Sequence, residues 1–178
     1  MRTSSGLATR RLAVSAVISA LGVVLLFVGS LFQVLDLSMA AIVSLFTVFA
    51  VIEIRGSYPF LIYAVTSVLS LLLLPVKTPA LVYALFAGYY PILKGVFERH
   101  LGRAAAWALK LAVFFIGAAA AAFVAMKVLM VDVSLLLANW WVLLLSIPVF
   151  VLYDVGLTRL ITAYVVKWRS RFNFLKLH

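Results

Sequence analysis

The sequence predicts an all-α integral membrane protein, a compact bundle of six transmembrane helices with both termini in the cytoplasm. Three observations carry this. Hydrophobic residues make up 67% and charged residues 11% of the 178, with a mean hydropathy of +1.24; a chain of this size has too little interior to hide so much apolar surface from water. Six apolar stretches, each near the roughly 20 residues that cross a bilayer, follow one another with short breaks between them. Finally, placing the N-terminus in the cytoplasm puts thirteen of the fifteen Lys and Arg residues on that side and leaves only Lys77 and Lys127 on the other. That asymmetry is the usual orienting signal. A five-span arrangement would carry the basic tail outside and break it.

The first span, 11–32, is too long for the 7–15-residue apolar core of a cleaved signal peptide and lacks a small-x-small cleavage site after it. It carries two stripes of small residues. Ala13, Ala16 and Ala20 form one; Ser15, Ser19, Gly22, Gly29 and Gln33 form the other, about 100° around the helix. Small stripes let helix backbones approach closely in lipid. Two of them allow two neighbours, or one neighbour and a separate subunit.

The second span, 37–54, ends in Glu53 and Arg55, and Gly56 punctuates the turn after it. The third, 58–74, places Tyr63, Thr66, Ser67 and Ser70 at i, i+3, i+4 and i+7, so one face is polar. Pro75 and Pro79 bracket the turn into the fourth span, 80–97, whose "GYYPILKGVFER" closes on charges. There Pro91 removes a backbone donor from the Ala87 carbonyl and predicts a kink. Lys94 and Glu98, four apart, can pair along one face. The fifth span, 108–131, contains the alanine run 118–122, and the sixth, 139–166, opens on Asn139, Trp140 and Trp141. Trp140 and Trp141 at the outer boundary and Trp107 and Trp168 at the inner one suit an aromatic belt.

Asp154 lies about 21 Å along the last span from Trp140, at 1.5 Å per residue, which puts a carboxylate in the inner third of the bilayer. Such a group is costly unless paired. Glu53, Arg55, Tyr89, Tyr90, Lys94, Glu98, Asp154 and Arg159 share that depth and form a candidate inner-leaflet charge cluster, read first as a lock between helices and second as a substrate or proton site.

Several functions are excluded or disfavoured. The absence of cysteine removes disulfides and thiolate chemistry, and two histidines in basic loops or tails offer no metal site. No HExxH, GxSxG, Walker or paired-acid motif is present, so neither an enzyme nor a bound cofactor is expected. The net charge of +10 sits where cytoplasmic anchors meet anionic lipid, rather than in a nucleic-acid-binding patch.

The six-span plan, the length, and Ala16–Ala20 within "RRLAVSAVISALGVVLL" resemble the substrate-binding S components of energy-coupling factor (ECF) transporters, and "GYYPILK" is similar to a segment of S-component-like membrane proteins. The resemblance implies a bacterial cell-membrane protein that binds a vitamin or similar micronutrient in its outer half, and whose first helix meets a transmembrane coupling subunit carrying two ATPases. The corresponding outer residues would be Gln33, Asp36, Lys77, Tyr83, Asn139 and Trp140, with Ala13, Ala16 and Ala20 as the subunit seam. The short outer loops and the cytoplasmic position of the charges depart from that pattern. Two other readings stand beside it: a non-transporting scaffold resembling MreD-type proteins, and an autonomous carrier of small solutes or lipid.

Overall fold

The computed structural model describes residues 4–32, 35–54, 56–127 and 140–168, and within them six helices and no strand occur. Helix α1 is Ser4–Leu31. Helix α2 is Asp36–Phe49, prolonged by a wide π-helical turn, Ala50–Ile54. Helix α3 is Tyr58–Leu73, α4 is Thr78–His100, and α5 is Arg103–Lys127. Helix α6 is Trp140–Ala163 with a second wide turn, Tyr164–Trp168. All but α3 contain a segment long and apolar enough to cross a membrane.

The chain breaks where local chemistry requires it. Gly56 adopts φ +66° between α2 and α3, a left-handed conformation that costs an L side chain energy. Pro59 and Pro79 sit in the first turns of α3 and α4, where a missing N–H forfeits no helical bond. At the far end of α3 the Lys77 ammonium donates to the Leu74 carbonyl at 2.6 Å, capping it. Helices α1 and α5 begin at Ser4 and Arg103, several residues ahead of the apolar spans at 11 and 108. Backbone hydrogen bonding continues through Arg10, Arg11 and Trp107, whereas a hydropathy boundary stops at charge. The expected ends at 131 and 139 lie outside the described residues.

The described residues group into two compact units, one up to Val113 and one from Phe114 onward. In the first, α1 packs against α2 and α3 through its serine and glycine stripe. Ser15 and Ser19 are buried. A Cβ added to Gly22 would lie 3.1 Å from Val43 and 3.2 Å from Thr66, and one on Gly29 would lie 2.9 Å from Met39. These positions therefore need small residues for the close approach. Leu26, Ala40, Val43, Leu74, Ala80, Tyr83 and Ala87 fill the space between α1, α2, α3 and α4, while Ala50, Ile54 and Ile62 form a second cluster beside Val14, Ile18 and Tyr58. In the second unit, Phe114 and Phe150 stack with ring centroids 4.7 Å apart.

Candidate functional site

Helix α4 is divided. In an unbroken α-helix the Gly88 N–H would meet the Ala84 carbonyl; here it reaches one residue further back, to Tyr83, at 2.7 Å. The released Ala84 carbonyl accepts a hydrogen bond from the Tyr63 hydroxyl of α3 at 2.8 Å. Pro91 supplies no N–H to Ala87. The second half begins after Tyr89, whose carbonyl accepts from Ile92 at 3.0 Å and Leu93 at 3.1 Å. The sequence-level kink is thus a wide turn over Tyr83–Ala87 followed by a fresh helix start, a form common where helices are interrupted.

Aromatic rings cover the interruption. The Tyr63 ring lies 6.3 Å from that of Tyr83 and meets Tyr89 edge-on at 5.9 Å. A Cβ on Gly88 would fall 2.6 Å from the Tyr63 ring and 2.8 Å from Tyr83, so the bare backbone is what admits both rings. Tyr83 is fully buried, and its hydroxyl shares a hydrogen bond with Thr47 of α2 at 3.1 Å. Thr66, Ser67 and Ser70, the remainder of the polar face of α3, are buried as well. That face points into the bundle.

The second half of α4 carries the ionic part of the site. Lys94 and Lys110 donate to the same oxygen, Glu98 Oε1, at 2.8 Å and 2.6 Å. Both ammonium side chains are nearly inaccessible, at 1% and 4%, while Glu98 is 42% exposed. The half-exposed carboxylate thus accepts from both buried ammonium groups, and it ties α4 to the start of α5. The Lys110 ammonium also lies 5.1 Å from the Trp107 ring centroid, within cation–π range. Glu53 is buried at 2% in the wide turn of α2 that packs against this half of α4.

Of the expected inner cluster, the structure thus joins Lys94 with Glu98 and places Glu53 on an adjoining element. Tyr89 packs on Tyr63, and Tyr90 is buried beside Phe86 at 5.1 Å. Asp154 belongs to the second unit, where it is 2% exposed and its carbonyl accepts from Thr158 at 2.9 Å. Arg159 is exposed, and Arg55 lies outside the described residues. Lys110 is the member that sequence reasoning missed. Its position near a span boundary reads as an ordinary lipid anchor, and only its i+12 relation to Glu98 across the α4–α5 turn reveals its role.

Among the outer residues, Lys77 serves as the cap of α3 and Tyr83 is part of the core. Asp36 is buried at 8%, and its Oδ1 has no hydrogen-bond partner among the described residues. Gln33 and Asn139 lie outside the described residues, as does the side chain of Trp140. Ala13, Ala16 and Ala20 are exposed on α1, on the side not used by α2 and α3. No family model, curated relative or solved structure matches this chain.

Proposed function

We propose that the chain is a six-span bacterial membrane protein with both termini cytoplasmic, acting as the substrate-binding subunit of a micronutrient uptake transporter of the ECF type. The observation that carries this is the division of labour on α1. Its serine and glycine stripe is spent inside the chain, whereas Ala13, Ala16 and Ala20 remain outward. A small-residue seam left uncovered on an apolar helix is what close docking of a second membrane helix requires. In this reading the second helix belongs to a coupling subunit associated with two ATPases. Asp36 supports the same reading, since its buried oxygen at the outer end of α2 can accept a hydrogen bond from a ligand.

A non-transporting scaffold is the second reading, favoured by the engagement of Lys77 and Tyr83 in capping and core packing. Affinity purification from native membranes in mild detergent, comparing the parent with Ala16→Trp/Ala20→Trp, separates the two. The transport reading expects co-purified ATPases that the double variant loses, with the monomer still folded. Membrane partners without ATPases would replace it with the scaffold, and normal ATPase recovery with the double variant would remove the seam.

A further inference from the structure

We propose that the turn between α4 and α5 is a seat for an anionic phospholipid whose phosphate is held by Arg99 and Arg103. Two segments long and apolar enough to cross a membrane, Thr78–His100 and Arg103–Val124, meet there with only Leu101 and Gly102 between them. The turn therefore lies at a membrane surface, whichever side that surface faces. Leu101 leaves the helix with φ −122° and ψ 149°, so Arg99 in the last turn of α4 and Arg103 at the start of α5 flank a short break.

The charge at this turn is of one sign and uncommitted. From Lys94 to Lys110 the sequence holds four Lys and Arg residues and a single carboxylate, Glu98. Its Oε1 already accepts from Lys94 and Lys110. Arg99, His100 and Arg103 are exposed, and their side chains make no ion pair or hydrogen bond among the described residues. Lys77, at the other end of α4, differs, because its ammonium is engaged by the Leu74 carbonyl. Two guanidinium groups present forked donors that match phosphate oxygens.

The apolar surroundings select a lipid over a free anion. Val96, one turn back from Arg99, and Trp107, one turn on from Arg103, are exposed, and residues three or four apart share a helix face. On both helices the order running inward from the turn is a cation and then an apolar side chain, with Leu101 exposed between them. A phospholipid presents the same order, phosphate and then acyl chain, whereas inorganic phosphate gains nothing from the apolar flank. The Trp107 ring, with the Lys110 ammonium 5.1 Å from its centroid, suits the headgroup level where indoles collect. The seat does not rest on the transport reading, since its residues serve equally in a transporter or a scaffold.

The test uses the full chain in mixed micelles with equimolar phosphatidylglycerol and phosphatidylcholine, the retained lipids being counted by native mass spectrometry. A cation near an anionic surface is worth about fivefold, so Arg99→Gln/Arg103→Gln should lower the preference for phosphatidylglycerol by about thirtyfold. Arg159→Gln/Lys167→Gln, which removes two exposed cations of the second unit, should leave it as in the parent. An equal loss in both pairs would mean diffuse attraction and overturn the seat. Displacement of the lipid by excess inorganic phosphate would make the occupant a free anion and overturn it as well. Should Arg99→Gln/Arg103→Gln not fold, the parent decides: equal retention of the two lipids overturns the proposal, and a preference that survives excess phosphate supports it.

Discussion

Replacing Glu98 by Gln tests the ionic half of α4 with little change in shape. The carboxylate oxygen accepts from two ammonium groups at 2.8 Å and 2.6 Å. A charge-assisted bond is worth about 1 kcal/mol more than a neutral one, so the amide forfeits about 2 kcal/mol over the two. Exposure of Glu98 reduces this through solvent screening. Burial of Lys94 and Lys110 acts in the other direction, because each loses compensation in a site from which water is largely excluded. The net expectation is about 2 kcal/mol, or roughly a thirtyfold change in the folded-to-unfolded ratio. It is measured by reversible unfolding in mixed micelles, followed by tryptophan fluorescence. Lys110→Met closes a double-mutant cycle with Glu98→Gln. The two costs should fall short of additivity by about 1 kcal/mol, since they remove the same contact. A loss under about 0.5 kcal/mol for Glu98→Gln, the range of an ordinary surface substitution, would refute the shared-carboxylate account.

Three further substitutions have expected outcomes in packing and hydrogen bonding. Gly88→Ala should destabilise by about 2 kcal/mol in the same titration, because the methyl would stand 2.6 Å from one tyrosine ring and 2.8 Å from another. Gly156→Ala, inside α6 with nothing within 4 Å of the added carbon, should instead stabilise by up to about 1 kcal/mol. Tyr83→Phe should cost about 1–2 kcal/mol by leaving the buried Thr47 hydroxyl without the phenol, and Thr47→Val should relieve most of that cost in the double variant.

Much of the helical plan is legible in the residues themselves. Hydropathy and punctuation locate six helices because each apolar run stops at charge, glycine or proline, and the polar face of α3 follows from the i, i+3, i+4, i+7 spacing of Tyr63, Thr66, Ser67 and Ser70. The Lys94–Glu98 pair is equally local. What could not be read is what spacing does not encode. Pro91 announces a kink, but the turn that absorbs it begins eight residues earlier at Tyr83, because Tyr63 from another helix takes over the Ala84 carbonyl. Lys110 reaches Glu98 only after the chain reverses between α4 and α5. Tyr83 looks like a ligand residue near an outer boundary, yet its hydroxyl turns inward to Thr47. In each case a tertiary partner decides the role of a residue whose local pattern permits several.

The shortness of α3 has a consequence for the surrounding lipid. Its sixteen residues rise about 24 Å, some 6 Å less than a typical hydrocarbon core. Phe60, Leu61, Val68, Leu72 and Leu73 present an apolar outer face along it. Under the proposed six-span arrangement the acyl chains beside that face would shorten or tilt to match it, at a fraction of a kcal/mol per ångström. The longer helices impose no such demand. The protein would dimple the membrane along α3, preferring thinner surroundings there and drawing other short-spanning helices toward that flank.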